Sequence, residues 1–351
     1  MVSKYFEKLL EKEFPSCNLE KISEEEKRKA ILKNLKMVIP CAGNGTRGYP
    51  AMVETSKELI PVPFKESLQN MVLVQIEKAI DSGILSENIA IVISKDKDDI
   101  VQSLTGDHSE IVASLRHKGK GFFADKVERV KIIAPQSKSN YILQDCPYYG
   151  NGSPLATKET QEFIGDSDFF YIYPDDVFAT IGDNEIQQIL ETYFEYGGSI
   201  LPAKNVEEES EFSKYGIVDG SIVKRPKNGV GNVVYKVDNI VEKPGVDNAP
   251  SNSASVKGYL FANTFLIHLN EYYRRFDGKD EFMIQIPMKI MMDNGFPFHA
   301  VAIDGIYCDT GNYEDFSLTV PIMRMFEKGG GNYISKLEEA INKAKEYRKN
   351  L

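Results

Sequence analysis

From Met37 onward, short apolar runs alternate with amphipathic stretches: "MVIPCA", "MVLVQIEKAIDSG", "IAIVIS", "VKIIA" and "FFYIYPDD". A short uninterrupted apolar run suits a strand buried on both faces, and an amphipathic stretch suits a helix covering it. The pattern predicts an α/β fold: a Rossmann-like, mixed but mostly parallel sheet covered by helices, with "VKIIA" as one of its strands. After "MVIPCA" the next helix is expected near Ser67, because Pro50, Pro61 and Pro63 bar an earlier one. In the middle of the chain "YGIVDGSIVKR", "GNVVYKVDNIVEKP" and "SVKGYLFANTFLI" read as hairpin strands of a β-rich subregion laid over the first sheet.

The ends read as helical. Ser23 and Glu26 have the spacing of a capping box ahead of "KRKAILKNL". Near the C-terminus, "GGGN" reads as a hinge before a helix whose Ile334, Leu337, Ile341, Ala344 and Tyr347 form an apolar stripe. The expected organisation is a helical extension over 1–35, a main domain over 36–318 and a helical segment over 319–351.

Composition narrows the function. The chain has 351 residues, 42% hydrophobic and 27% charged, with a formal net charge of −10. That balance argues against a nucleic-acid surface, which needs a basic face. No apolar run approaches the roughly 20 residues that span a bilayer, and "MVSKYFEKLLEKEF" is too charged for a secretory signal, so no membrane partner and a cytoplasmic location are expected. Four scattered cysteines and four histidines show no zinc-ligand spacing.

Gly43, Gly45 and Gly48 satisfy G-x-G-x-x-G, yet the prolines that follow prevent the immediate helix of a dinucleotide fold, and no Gly-Lys-Ser/Thr closes a P-loop. What remains is a turn after a strand whose N–H groups, with Arg47 and Lys57, suit phosphate. An ordinary surface turn explains the glycines alone equally well. Asp175, Asp176 and Asp309 follow apolar runs, where hard oxygen ligands suit Mg²⁺, although a lone aspartate there is also a common cap. Glu242 and Lys243 are adjacent in a strand and so are expected on opposite faces unless the strand ends at Pro244. Gln144 offers a donor and an acceptor that match the edge of uracil or thymine, or simply face water.

Taken in order, "GNGTRGYPAMVETSKELIP", "QDCPYYGNG", "YPDD", "KYGIVD", "VEKP", "APSNSA" and "CDTG" resemble the sugar-1-phosphate nucleotidyltransferase family, most closely its bacterial-type UTP:glucose-1-phosphate uridylyltransferases. The likeness covers roughly residues 36 to 318. It implies an enzyme joining UTP to a sugar 1-phosphate, most closely glucose 1-phosphate, with Mg²⁺ as cofactor. Arg47 and Lys57 take the catalytic positions, and Asp175 and Asp309 the metal positions. Ala42, Gly43, Gly45, Thr46, Gln144 and Gly150 fall at nucleotide contacts, Gly216 and Glu242 at the sugar, and Lys243 at the sugar phosphate. The middle strands become the sugar side of the fold, and a homo-oligomer is compatible with the terminal helices.

Several positions depart from the family pattern: Ser56 replaces its proline, Met52 its threonine, "GNGSP" its "GLGHA", "MIQIPM" its "EIQLTD", and "KGYLF" lacks the arginine of its "GRY". These changes leave the acceptor sugar more open than the reaction type. Two other readings stay open: a dTTP-using thymidylyltransferase, since a methyl group gives only about 1–3 kcal/mol of discrimination, and a catalytically silent regulatory domain.

Overall fold

A computed structural model describes residues 6–15, 17–43, 45, 50, 52–146, 150–226, 231–311 and 313–349. The chain enters through α1 (Glu7–Glu13) and α2 (Glu24–Asn34), then runs β1 (Lys36–Pro40), β2 (Pro61–Phe64), β3 (Ser67–Asn70), α3 (Met71–Asp81) and β4 (Ile89–Ile93). Three helices follow, α4 (Asp98–Thr105), α5 (Ser109–His117) and α6 (Gly121–Ile133), and then β5 (Tyr141–Leu143), α7 (Lys158–Ile164), β6 (Phe169–Ile172), β7 (Asp176–Ala179), α8 (Glu185–Tyr196) and β8 (Ser199–Asn205). The second half holds β9 (Gly216–Lys224), β10 (Val234–Glu242), β11 (Ser253–Ser255), β12 (Gly258–Phe261), α9 (Phe265–Arg275), α10 (Gln285–Asp293), β13 (Phe298–Ala302) and β14 (Ile306–Asp309), and closes on α11 (Tyr313–Phe326) and α12 (Gly330–Lys349).

Ten strands form one mixed sheet in the order β11-β9-β10-β13-β8-β12-β6-β1-β4-β5. The pairs β6–β1, β1–β4 and β4–β5 are parallel, as the apolar runs predict. Every residue of β4 and β6 is buried, the signature of strands covered on both faces. One face packs Phe170, Ile39 and Ile91 against α3 and α8; the other packs Tyr171, Val38 and Phe261 against α9 and α10.

The middle strands extend this sheet rather than lying over it. Tyr235 pairs with Ala300, β13 runs parallel to β8, and β12 joins β6. Because β11 pairs with both β8 and β9, the strands β8, β11, β9, β10 and β13 are linked in a closed circuit.

Three local expectations differ. "VKIIA" is the last turn of α6, where Ala124 and Ile133 are buried while Ile132 faces solvent, a helical rather than a strand pattern. Residues 67–70 pair with β2, and α3 starts at Met71 because Asn70 Oδ1 accepts the Leu73 N–H at 3.0 Å. "TFLI" of the third hairpin segment begins α9.

At the ends, the Ser23–Glu26 capping box forms, with Ser23 N–H donating to Glu26 Oε2 at 3.0 Å. Phe6 packs edge-on against Tyr193 with ring centroids 4.8 Å apart, fixing the N-terminal helices to α8. Gly330 and Gly331 lie within α12 instead of forming a separate hinge. The α12 stripe stays largely open, Ile334 39% and Ile341 43% exposed.

Candidate active site

Parallel strands deliver the functional loops to one edge. β1 ends at Pro40 and hands over to the glycine turn, β6 ends at Ile172 just before Pro174 and Asp175, and β5 ends at Leu143 just before Gln144. In an open α/β sheet the carboxyl ends of the strands are where a ligand binds.

Lys57 is held at the centre of this edge. Ser56, just before it, is fixed through N–H and Oγ by Asp99 of α4, at 2.7 Å each. Glu58, just after it, is buried and paired with Lys97 at 2.7 Å. Gly45 has φ +60 and packs over the lysine stem: a Cβ there would lie 3.2 Å from Lys57 Cβ. Only glycine takes that backbone conformation freely while approaching so closely. Lys57 Nζ reaches Asp175 Oδ2 at 2.6 Å. Burial draws the ammonium pKa down, but the Asp175 carboxylate outweighs it and the net direction is upward, so Lys57 stays charged.

The two predicted metal aspartates meet through a small sheet. β14 runs antiparallel to β7 with Asp309 opposite Asp176, and the Thr310 N–H and hydroxyl both donate to the Asp175 carbonyl at 3.0 Å. Asp309 Oδ1 accepts the Gly311 N–H at 2.6 Å. A point at the Cβ position of Gly311 lies 2.9 Å from Asp309 Oδ1 and 3.4 Å from Asp175 Oδ2, so both carboxylates face the same space.

Asp176 completes the acidic group. Burial, with Asp175 and Asp309 alongside, pushes its carboxyl up to about 8. Asp309 is raised as well, by burial first and by Asp175 after the opposing Gly311 N–H. Among the described residues no three His, Cys, Asp or Glu side chains form a ready metal cage. Two carboxylates facing one space nevertheless fit a hard divalent ion that takes its other ligands from phosphate and water.

The residues predicted on the base and sugar sides fall into two groups. Gln144 Nε2 approaches Ser153 Oγ at 3.5 Å, and that hydroxyl donates to the Gly150 carbonyl at 3.0 Å, so the two residues expected to meet the base share one loop cluster. The loop is tied to the segment before α10: Asn151 Oδ1 accepts the Ile284 N–H at 3.0 Å. On the far side Gly216 of β9 lies opposite Glu242 of β10. Lys243 takes φ +47 where β10 ends, so its Nζ comes back to 3.7 Å from Glu242 Oε1 instead of pointing to the opposite face. Ala42 and Gly43 follow β1, with Gly43 near Lys57 Cε. Thr46, Arg47 and Gly48 lie outside the described residues.

Sequence reasoning missed Asp99 and Lys97, which hold Ser56 and Glu58 on either side of Lys57, and Gln75 and Lys257, which donate to backbone carbonyls beside Asp175. The readable signal for Lys257 was a lysine inside the apolar run "SVKGYLF".

Parallel strands with a glycine turn, a lysine and facing aspartates at their carboxyl ends suit a transferase that handles phosphate, and the chain belongs to the nucleotidyl transferase family, whose model matches residues 36–320. Among curated relatives, the UTP–glucose-1-phosphate uridylyltransferase YngB of Bacillus subtilis is 30% identical over 79% of this chain and 85% of its own length. A second B. subtilis UTP–glucose-1-phosphate uridylyltransferase is 34% identical over 67% of this chain and 73% of its own. The fold matches the UDP-glucose pyrophosphorylase of Acinetobacter baumannii with a TM-score of 0.68 and 21% identity, covering 87% of this chain and 99% of that one.

Proposed function

We propose that this enzyme transfers the uridylyl group of UTP to glucose 1-phosphate, releasing pyrophosphate and forming UDP-glucose. The observation that carries the reading is the convergence of Lys57, Asp175 and Asp309 beside the glycine turn. The relatives' activity agrees with it.

In this reading a phosphate oxygen of glucose 1-phosphate attacks the α-phosphorus of UTP. A new P–O bond forms there as the bond to the β-phosphate breaks, and the bridging oxygen leaves with pyrophosphate. The second pKa of a phosphate is about 6, so the nucleophile is ionised at neutral pH and needs no general base. The difficulty is bringing two anions together, and Lys57 with Arg47 offsets that charge at the reacting phosphorus.

Asp175 and Asp309 would hold Mg²⁺, which when bound supplies Lewis-acid stabilisation of phosphate charge. Asp175 also anchors Lys57, which links the lysine's position to the metal side. Gln144 and Gly150 read the uracil, with the amide matching its N3–H and O4. Glu242 accepts sugar hydroxyls, opposite Gly216, and Lys243 meets the sugar phosphate.

The test is Mg²⁺-dependent pyrophosphate release across UTP, dTTP, CTP, ATP and GTP against glucose, galactose, mannose and N-acetylglucosamine 1-phosphates. Release concentrated at UTP with glucose 1-phosphate is expected. Preference for dTTP, or for another sugar, would replace the substrate assignment, and silence across the whole grid from folded protein would remove the enzymatic one.

A further inference from the structure

Behind the aspartates lies a polar cluster that the proposed chemistry does not use. Lys257, in the turn between β11 and β12, is fully buried and has φ +75, a conformation a lysine rarely adopts. Its Nζ donates to Gln75 Oε1 and to the Asp176 carbonyl, and lies 3.6 Å from Glu185 Oε1. Its backbone N–H donates to Asp176 Oδ2 at 3.2 Å. Gln75, on α3, then donates from Nε2 to the Pro174 carbonyl at 3.2 Å and the Asp176 carbonyl at 2.8 Å.

The chemistry of these groups fixes their order. An ammonium has only donors, so it turns the acceptor end of the Gln75 amide toward itself. The donor end then faces the carbonyls immediately before and after Asp175. Without that cation the amide can flip, setting its oxygen against two carbonyl oxygens. A glycine would take φ +75 without strain, so the backbone alone gives no reason for a lysine here. The reason lies in what the amine holds.

We propose that Lys257 is a positioning residue for metal binding: acting through Gln75, it locks the Pro174–Asp176 backbone so that the Asp175 carboxylate stays aimed at the space it shares with Asp309. The proposal rests on the metal role assigned to Asp175 above. Lys257 touches neither substrate nor metal.

Three variants test it. Lys257→Gly removes the amine and relieves the backbone. Lys257→Met removes the amine and takes from Glu185 one of its two ammonium neighbours, while Lys78 stays paired with that carboxylate at 2.7 Å. Gln75→Leu breaks the same clamp from the other side with Lys257 intact. For each, UTP binding is titrated calorimetrically with and without Mn²⁺, beside the thermal midpoint without metal and the Mg²⁺ concentration that half-activates turnover.

The expected result is a Mn²⁺-dependent gain in UTP binding weakened about 10-fold, the loss usual when support behind a metal ligand is removed, with metal-free UTP binding within about twofold of wild type. A folded variant whose metal dependence stays within about twofold of wild type overturns the proposal. If the Lys257 variants fail to fold, Gln75→Leu decides alone. Wild-type protein that binds Mn²⁺ with UTP yet transfers nothing would sink the proposed activity while leaving the clamp to be judged by binding. Wild-type UTP binding indifferent to metal would overturn the clamp.

Discussion

Lys57 Nζ sits 2.6 Å from Asp175 Oδ2, joining the glycine turn after β1 to the acidic loop after β6. The two residues are 118 positions apart in the chain, and only the parallel pairing of β1 with β6 brings their loops side by side. The pair is partly exposed, so its contribution to stability is small, at most about 1 kcal/mol. In the proposed reaction it places a cation where phosphate charge develops. Lys57→Met is predicted to lower pyrophosphate release by about 10²–10³-fold, the loss seen when one charge-stabilising donor is removed, with little change in thermal midpoint. Initial rates within tenfold of wild type would take Lys57 out of the chemistry.

Glu242 and Lys243 make a separable prediction. The positive φ of Lys243 turns both side chains to the same region at the end of β10. Glu242→Gln keeps the shape and removes the charged acceptor, a change of about 1.5–3 kcal/mol for a hydrogen bond to a charged group. The KM for glucose 1-phosphate is predicted to rise about 10-fold or more, and the KM for UTP to stay put. Equal rises in both constants would show that Glu242 supports the whole site instead of the sugar.

Phe6 tests the N-terminal helices. It is only 2% exposed and packs against Tyr193 of α8, far along the chain from the catalytic loops. Phe6→Ala is predicted to cost about 3 kcal/mol, from lost burial and the cavity left behind, measured by urea unfolding. Transfer activity of the folded variant should remain. Unchanged stability would mean the extension is not part of the cooperative core.

Acid should weaken the protein partly through His299. Burial, reinforced by Lys236 across the strand pair and opposed by Glu195, lowers its pKa to about 4, and its ring stacks on Tyr196 at 4.5 Å. An unfolded histidine takes up a proton near pH 6.5, whereas the folded one resists until about pH 4. The contribution is therefore complete above about pH 6.5 and is lost progressively as pH falls toward 4. His299→Phe keeps a stacked ring and cannot titrate. Urea unfolding at pH 7 and pH 5 should show a smaller acid loss for the variant; equal losses would contradict the assignment.

Much of this was legible in the sequence where one residue type meets one local rule. The apolar runs at β1, β4 and β6 declared buried parallel strands, Asp175 stood just past the β6 run, and Asp309 stood after a separate apolar run, "AVAIDGIYC". Periodicity failed at "VKIIA", because a short apolar run at the end of a helix reads like a strand until its neighbours are seen to pack at helical spacing. At Lys243 the exception left open by Pro244 applies: β10 ends at Glu242, and the left-handed φ of Lys243 cancels strand alternation. The clamp of Lys257 and Gln75 was out of reach, since it depends on side chains 182 positions apart meeting in the core. Asp176 stood beside Asp175 as a further acidic side chain at the end of the strand, and only the fold showed it turned inward to the Lys257 N–H.

The most direct test of the proposed reaction is to follow UTP labelled at the α-phosphate, with glucose 1-phosphate and Mg²⁺, and ask where the label goes. The account predicts that it appears in UDP-glucose, in equal amount to the pyrophosphate released, and that Asp175→Asn with Asp309→Asn abolishes both. Label appearing in UMP, or pyrophosphate released without UDP-glucose, would contradict it.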